Sequence, residues 1–426
     1  MPNPGDLITI THKNEKVEGI LMPSPDADSI IIKLSSGYNV GFNKKEVKVT
    51  LVQTKKEEKN KPTEKIIINK NLPTITIIHT GGTIASKVDY TTGGVYASFT
   101  VEDFLQKFPE VKEMANIKSN HVSNIMSEDV RFSHFQKLAK AIQKEVAEGV
   151  KGIIIGHGTD TLAITAAALS FMLENLPIPV LIVGSQRSSD RGSTDAAMNL
   201  ICATEFIAKT DFAGVAICMH TSSNDNTCGI FPATKTRKLH TSRRDAFKAV
   251  NDTLIAEIDY KNKKINFLKN YVKKSEVKEK LVIKEKMEEK IAVIRTYPNM
   301  SPTLFKALTT EKYKGLILEG TGIGQAPVNI EENSLNYKAL QQFIKQGGVV
   351  VLTSQCIFGR VHPYIYTNCR RLTEIGVIFG EDMLTETAHV KLAWLLANYP
   401  KNVKEMMTQN LRGEINDRLE FKEEFI

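Results

Sequence analysis

The N-terminal part of the chain alternates between apolar and polar positions over short runs. Turn-forming residues separate these runs, which occupy residues 7–11, 16–22, 29–34, 38–42 and 47–52. Strict alternation predicts half-buried β-strands, and five strands in so short a segment predict a small β-barrel over residues 1–54. Residues 55–71 are highly charged, contain Pro62 and predict a linker.

A different pattern begins at residue 74, where the β-branched run TITII predicts a strand covered on both faces. The run leads to Gly81 and Gly82, which permit a tight turn. Thr83 follows, so a hydroxyl stands at the carboxyl end of a strand, where open α/β sheets hold their ligands. The turn matches neither the phosphate loop nor the GxGxxG fingerprint, which disfavours nucleotide binding here. Taken alone, it is compatible with ordinary turn chemistry.

Strand-like and helical patterns then alternate. Strands are predicted at 121–125, 152–155, 179–183 and 213–219, and helices at 101–108, 132–148, 162–174 and 193–208. This alternation predicts a doubly wound α/β domain over residues 72–260, in which 225–250 is irregular. The Lys- and Glu-rich residues 261–289 predict a second linker. The alternation resumes in a smaller α/β domain over 290–400, and 401–426 form a C-terminal tail.

Composition narrows the class of protein. The 426 residues are 42% hydrophobic and 24% charged, as in ordinary globular proteins. A net charge of +8 suits a polyanion such as RNA, but the lysines are scattered and no RNA-binding signature accompanies them. Five cysteines without CxxC spacing disfavour a disulfide framework and a zinc site. No secretion signal or membrane-length apolar run is present, which predicts a cytoplasmic protein.

A second polar turn makes chemistry more plausible. The strand at 152–155 ends in Gly-His-Gly-Thr159-Asp160, and parallel strands bring such turns to one sheet edge. A threonine nucleophile such as Thr83 needs a base, and a lysine of lowered pKa can serve if a carboxylate or hydroxyls hold it. Thr159, Asp160 and Lys235 would form that relay. The reaction class is acyl transfer from an amide to water, with glycine-turn N–H groups stabilising the oxyanion. His157 is expected to be structural, and Asp195 to be a helix cap and surface charge.

These segments resemble a known family. TGGTIAS at 80–86 and HGTDT at 157–161 resemble the two signature motifs of the bacterial-type asparaginase/glutaminase family, and the resemblance covers residues 72–400. GSQR at 184–187 and TKT at 234–236 resemble further family segments. The resemblance implies two α/β domains and a dimer whose active sites lie between subunits.

The resemblance also implies residue roles. Thr83 matches the nucleophile and Tyr90 the tyrosine of a flexible lid. Thr159, Asp160 and Lys235 match the second catalytic group. Ser127 and Glu128 match the pair that grips the α-carboxylate and α-amino groups of the substrate, although many relatives have glutamine at the second place. The acidic residue that a neighbouring subunit usually donates is not identifiable, and no metal site is implied.

Both chain ends favour one branch of this family. The module that begins GDLI at residue 5 and the tail segment NLRGEINDR at 410–418 resemble the D subunits, or glutaminase subunits, of archaeal glutamyl-tRNA(Gln) amidotransferases. This resemblance implies an amidohydrolase that releases ammonia from glutamine through an acyl-enzyme on Thr83. A partner, the amidotransferase E subunit, would bind Glu-tRNA(Gln), use ATP and Mg²⁺, and receive the ammonia. The chain itself would need no cofactor, and its dimer would form the core of a heterotetramer.

Two alternatives remain open. A free-standing cytoplasmic L-asparaginase would begin close to its first strand, whereas here a barrel and a linker come first. A catalytically silent amino-acid-binding protein is less favoured, because every matched catalytic position keeps a competent residue. The sequence does not decide between glutamine and asparagine as the preferred substrate.

Overall fold

The computed structural model describes residues 2–13, 15–24, 26, 28–35, 39–54, 69–81, 86–88, 95–97, 109–187 and 194–421. Thr83, Tyr90, most of the first predicted linker and the predicted helix at 101–108 lie outside these residues. Among the described helices, none has the length and apolarity needed to cross a membrane.

The N-terminal module is a five-stranded antiparallel sheet in the order β4-β3-β2-β1-β5. Its strands are β1 (Leu7–His12), β2 (Glu15–Met22), β3 (Ser29–Lys33), β4 (Asn39–Asn43) and β5 (Lys48–Gln53). Alternate residues point inward, so that Ile8, Ile10 and Ile32 are fully buried in a separate small core. The alternating pattern of the sequence therefore predicted these strands within one or two residues of their ends.

The central module contains strands β6 to β19. They are β6 (Thr74–His79), β7 (Ser86–Val88), β8 (Val95–Ala97), β9 (Asn116–His121), β10 (Gly152–Gly156), β11 (Leu173–Glu174), β12 (Pro179–Val183), β13 (Gly214–His220), β14 (Thr227–Pro232), β15 (Thr236–Lys238), β16 (Phe247–Ala249), β17 (Ala256–Asp259), β18 (Lys264–Phe267) and β19 (Val282–Ile283). Eight of them form one mixed sheet in the order β18-β17-β14-β13-β12-β10-β6-β9. Five neighbouring strands of this sheet run parallel, in the order β13-β12-β10-β6-β9.

Helices cover both faces of this sheet. They are α1 (Phe132–Ala147), α2 (Leu162–Met172) and α3 (Ala196–Lys209). Helix α1 buries Phe135, Leu138 and Ile142 against the face that also receives α2, while α3 packs on the opposite face. Strand β6 contributes Ile78 to one core and Ile77 to the other, which explains its unbroken apolar run.

The C-terminal module has a four-stranded parallel sheet in the order β20-β21-β22-β23. Its elements are β20 (Ile291–Arg295), α4 (Thr303–Thr310), β21 (Gly315–Gly320), α5 (Ser334–Lys345), β22 (Val349–Ser354), α6 (Thr367–Glu374), β23 (Ile378–Phe379), α7 (Thr385–Asn398) and α8 (Val403–Met407). Helix α7 joins the two α/β modules, because Trp394 packs against Phe171 of α2 with ring centroids 5.6 Å apart. The predicted architecture, a small antiparallel module followed by two α/β modules, is confirmed.

Three local predictions are wrong. Residues 261–289 are not simply a linker, because they include β18, which pairs with β17 in the large sheet, and β19. The segment at 225–250 contains β14, β15 and β16 rather than irregular chain. Strand β14 is buried but includes Gly229 and Pro232, which are poor strand formers and hide the pattern. The strand predicted at 121–125 is β9, which ends at His121 and has a mostly polar sequence because it lies at the sheet edge.

Candidate active site

The turns after β6 and β10 meet at one edge of the central sheet. The two strands are parallel neighbours, with His79 paired in register to Gly156. Beyond this pair, the Thr80 hydroxyl donates a hydrogen bond to the Gly156 carbonyl at 2.9 Å. The glycine turn that leads to Thr83 is therefore joined directly to the turn that carries Thr159 and Asp160.

A third segment passes close to the glycine turn. Gly81 has a φ of 104°, and a Cβ there would lie 2.5 Å from the Ile125 carbonyl oxygen, so only glycine fits. The Ile125 N–H also donates to the Thr80 carbonyl at 2.9 Å. This close approach fixes the loop that continues into a 3₁₀ turn, Ser127–Asp129.

The 3₁₀ turn brings the predicted substrate-binding pair to the same edge. Ser127 is buried, and its carbonyl accepts a hydrogen bond of 2.7 Å from the Thr161 hydroxyl. A Cβ on Gly158 would lie 2.9 Å from Ser127 Oγ, so the two turns are in van der Waals contact. Glu128 is exposed. The structure thus places Ser127 against the Thr159 turn, and Glu128 is the next residue of the same 3₁₀ turn.

The lysine that contacts both Thr159 and Asp160 is Lys238. Its Nζ donates to Thr159 Oγ1 at 2.9 Å and to Asp160 Oδ1 at 2.7 Å. The Lys238 side chain is 14% exposed, whereas that of Asp160 is 64% exposed, so Lys238 Nζ is held at the rim of the site. A lysine in contact with a threonine hydroxyl and a carboxylate is the arrangement that proton transfer from a threonine requires.

The prediction that Lys235 makes these contacts is wrong. Lys235 Nζ donates instead to Asp382 at 2.5 Å for Oδ2 and 3.2 Å for the carbonyl oxygen, and both side chains are fully buried. Burial lowers the pKa of Lys235, while Asp382 acts in the opposite direction. Lys235 lies in the turn before β15, where its N–H bonds to the Pro232 carbonyl at 3.3 Å, whereas Lys238 is the last residue of that strand. Lys238 therefore faces the site, and Lys235 faces the C-terminal module.

His157 holds the shape of the second turn. Its Nδ1 lies 2.7 Å from the Gly158 carbonyl oxygen, and its Nε2 lies 2.9 Å from the Thr165 hydroxyl of α2. Burial lowers the pKa of His157 to about 4, so the neutral ring bridges the turn and the helix. The interpretation of His157 as a structural residue agrees with this geometry.

The loop after β12 closes another side of the site. A Cβ on Gly184 would lie 2.8 Å from Thr159 Cγ2. The loop is held by Asp195, whose carboxylate accepts from the Ser185 hydroxyl at 3.1 Å and from the Gln186 N–H at 3.0 Å. It also accepts from the Arg187 N–H at 3.1 Å. Asp195 is fully buried, so the expectation of a surface charge is wrong, and its side chain makes no helix-capping hydrogen bond.

Sequence reasoning missed two residues of this region, Lys238 and Asp382. The TKTRK segment offers two lysines three residues apart, and no local signal distinguishes them. Asp382 lies 147 residues from Lys235 along the chain, so only the fold reveals the pair. Within the described part of the chain, no group of three His, Cys, Asp or Glu residues is arranged to hold a metal ion.

Three family models match the chain. The Asparaginase, N-terminal model matches residues 74–273, the Glutaminase/Asparaginase C-terminal domain matches 290–407, and the GatD N-terminal domain matches 2–52. The three matches correspond to the central, C-terminal and N-terminal modules of the structure.

Solved structures resemble the two α/β modules. The thermostable L-asparaginase from Thermococcus kodakarensis superposes with a TM-score of 0.71 and 28% identity, covering 81% of this chain and 100% of that one. L-asparaginase I from Vibrio cholerae gives a TM-score of 0.70 and 29% identity, covering 81% and 99%. The uncovered fraction is about the size of the N-terminal barrel and linker.

Curated relatives resemble the whole chain. The D subunit of glutamyl-tRNA(Gln) amidotransferase from Pyrococcus furiosus is 45% identical, with 96% of this chain and 94% of the relative aligned. The protein of the same name from Methanococcus maripaludis is 42% identical, with 97% and 98% aligned. The chain therefore belongs to the family of glutamyl-tRNA(Gln) amidotransferase D subunits.

Proposed function

We propose that the chain is the glutaminase subunit of a tRNA-dependent amidotransferase. It hydrolyses glutamine to glutamate and ammonia, and the ammonia converts Glu-tRNA(Gln) to Gln-tRNA(Gln) on a partner subunit. The observation that carries this proposal is the contact of Lys238 with Thr159 and Asp160. This cluster of three residues lies beside the turn that leads to Thr83. The chain that carries it is related to amidotransferase D subunits over 96% of its length.

The residues divide the chemistry as follows. The Thr83 hydroxyl attacks the side-chain amide carbon of glutamine and passes its proton through the Thr159 hydroxyl to the Lys238 amine. Backbone N–H groups of the glycine turns stabilise the oxyanion that forms. The C–N bond then breaks, and the leaving nitrogen takes back the proton and departs as ammonia. Water attacks the Thr83 ester, which releases glutamate and restores the hydroxyl.

Asp160 and the substrate-binding pair position the reactants. The carboxylate of Asp160 holds the Lys238 Nζ at 2.7 Å, which fixes the base beside Thr159. Ser127 binds the α-carboxylate of glutamine, and the exposed Glu128 pairs with its α-ammonium group. Tyr90 closes over the bound substrate.

The partner carries the rest of the reaction. This E subunit binds Glu-tRNA(Gln), uses ATP and Mg²⁺ to activate the glutamyl group, and receives the ammonia. Two copies of the present chain form the core of a heterotetramer in the cytoplasm. The net charge of +8 is compatible with a complex that holds tRNA, although most of the tRNA contact belongs to the partner.

The test compares two nitrogen sources. The chain is co-expressed with the tRNA-binding subunit encoded by the same organism, and amidation of Glu-tRNA(Gln) is measured with glutamine or with an ammonium salt. Thr83→Ala is expected to abolish the glutamine-dependent reaction and to spare the ammonium-dependent one. Loss of both activities in a folded complex would argue against Thr83 as the nucleophile.

The same preparation distinguishes the alternatives. Full asparagine turnover by the isolated chain, with no stimulation by a partner, would favour a free-standing L-asparaginase. No covalent mass increase on Thr83 with a reactive glutamine analogue would favour a catalytically silent binding protein.

A further inference from the structure

The C-terminal tail, residues 401–426, makes hydrogen bonds with the segment that carries Lys238. Strand β15 ends at Lys238 and belongs to a two-stranded hairpin with β16, separate from the large sheet. Its position therefore depends on what holds the residues just before it, Thr234 and Lys235. Both are buried, and both are tied to the C-terminal module and tail.

The first connection runs through Asn416 and Asp382. The Asn416 N–H donates to Asp382 Oδ1 at 3.0 Å, and its side-chain amide donates to Asp382 Oδ2 at 2.8 Å. The same carboxylate receives the Lys235 ammonium. Asn416 Nδ2 also donates to the Asn251 carbonyl at 2.6 Å. Asn251 directly follows Val250, whose N–H bonds to the Lys235 carbonyl at 2.7 Å.

The second connection runs through Arg412. The Thr234 hydroxyl donates to the Arg412 carbonyl at 3.1 Å, and Arg412 Nε donates to the Ser170 carbonyl of α2 at 2.9 Å. Glu414 anchors the tail to the C-terminal module. It is fully buried and pairs with Lys391 of α7 at 2.6 Å. Glu414 also accepts from the Arg412 N–H at 2.6 Å.

We propose that Asn416, acting through Asp382 and Lys235, is a positioning residue for the catalytic Lys238. The two connections hold consecutive residues, Thr234 and Lys235, so that the hairpin presents Lys238 to Thr159 at hydrogen-bond distance. A displacement of about 1 Å at a catalytic group is enough to cost up to roughly a hundredfold in rate. The tail thus helps to fix the geometry of the site through its contacts with Thr234 and with the Asp382–Lys235 pair.

This proposal rests on the proposed glutaminase function, and the experiment separates the two. Glutaminase kcat and KM are measured on the complex with the partner subunit, for the wild type, Asn416→Ala and Asn410→Ala. Asn410 is an exposed asparagine of the same tail. Among the residues that the structure describes, its side chain bonds to the Gly413 N–H of the tail itself, which makes it the matched control. No turnover by the wild type would refute the proposed function and leave no glutaminase to position.

The expected result is a fall in kcat of about tenfold for Asn416→Ala, with KM little changed and ammonium-dependent amidation intact. Asn410→Ala should behave as the wild type. In a Lys238→Ala background, Asn416→Ala should cause no further loss, because its effect passes through Lys238. Equal effects in both backgrounds, or a lower melting temperature with an unchanged kcat, would overturn the proposal.

A milder variant covers the case in which Asn416→Ala does not fold. Arg360 holds the tail from outside, since its guanidinium donates to the carbonyls of Asn416 and Asp417. Its side chain is 28% exposed, and its Nη2 also lies 3.8 Å from Asp382 Oδ1. Arg360→Gln therefore weakens the attachment of the tail and one charge contact of Asp382, while Lys235 and Asn416 keep their own contacts with that carboxylate. The same selective fall in kcat, absent in the Lys238→Ala background, is expected. An unchanged kcat in a folded Arg360→Gln complex would count against the tail as a positioning device.

Discussion

Lys238 Nζ donates a hydrogen bond of 2.7 Å to Asp160 Oδ1, although the two residues are 78 positions apart in the chain. Asp160 follows the parallel strand β10, whereas Lys238 ends a short strand of a separate hairpin. Two different parts of the fold therefore have to be placed correctly for one proton transfer. The pair also shows which of the two neighbouring lysines reaches the site.

Replacing each of the two lysines should separate loss of the base from loss of the buried contact that positions it. Lys238→Ala removes the base and is expected to lower kcat for glutamine hydrolysis by about 100-fold or more. Lys235→Ala removes the ammonium that pairs with the buried Asp382 carboxylate, and is expected to cost roughly 3–5 kcal/mol of unfolding free energy. It should also lower kcat by about tenfold, less than Lys238→Ala, because Lys235 helps to position Lys238. Steady-state kinetics and urea denaturation measure the two effects. Full activity in Lys238→Ala would show that the base lies elsewhere.

Which of these two lysines contacts Asp160 could not be predicted from the sequence. The strand at Thr74 and the helix at Phe132 were predictable, because a doubly buried strand and an amphipathic helix leave a periodic record in their own residues. The contact of Lys235 with Asp382 produces no periodic pattern in the sequence, since it depends on how the central and C-terminal modules pack. Local periodicity locates the elements, but the direction of a side chain at a module boundary depends on distant residues.

The polar turns at the sheet edge could be predicted only in part. Sequence spacing correctly placed Thr159 and Asp160 on the turn after β10, and the parallel order brought that turn next to the one after β6. It did not show that Asp195 holds the Ser185 loop, because an acid just before a helix usually caps that helix. The fully buried carboxylate instead receives N–H groups of the neighbouring loop.

Gly158→Ala should weaken substrate binding. The added Cβ would lie 2.7 Å from Ser127 Cβ and 2.9 Å from Ser127 Oγ, which forces Ser127 to move. Losing one hydrogen bond to a charged substrate group costs about 1.5–3 kcal/mol, which corresponds to a rise in KM of about tenfold or more. Gly41→Ala is the control, because a Cβ there has no neighbour within 4 Å. An unchanged KM in a folded Gly158→Ala enzyme would remove Ser127 from the substrate-binding set.

Asp195→Ala should loosen the loop beside Thr159. The substitution leaves the Gln186 and Arg187 N–H groups without their acceptor, at a cost of about 1–3 kcal/mol for each group that stays buried and unpaired. We expect a lower urea midpoint together with a lower kcat, because Gly184 of this loop contacts Thr159. Asp211→Ala, at an exposed aspartate bonded to Tyr271, should lose far less stability. Equal losses in the two variants would contradict this account of Asp195.

His157 should make stability depend on pH below neutrality. Burial lowers the pKa of His157 from its ordinary 6.5 to about 4. Between these two values the unfolded chain binds more protons than the folded one, so acid favours unfolding. The contribution of neutral His157 is fully present above pH 6.5 and is lost as the pH falls towards 4. From pH 7.5 to pH 5 this linkage amounts to about 2 kcal/mol.

His157→Gln tests this linkage, because glutamine keeps hydrogen-bonding groups but has no proton to gain. Urea denaturation at pH 7.5 and pH 5 should give a difference in unfolding free energy that is about 2 kcal/mol smaller in the variant than in the wild type. His362→Gln, at an exposed histidine, should keep the wild-type difference. Identical pH dependence in His157→Gln and the wild type would mean that other groups, such as His79 with its pKa lowered to about 4, account for the acid sensitivity.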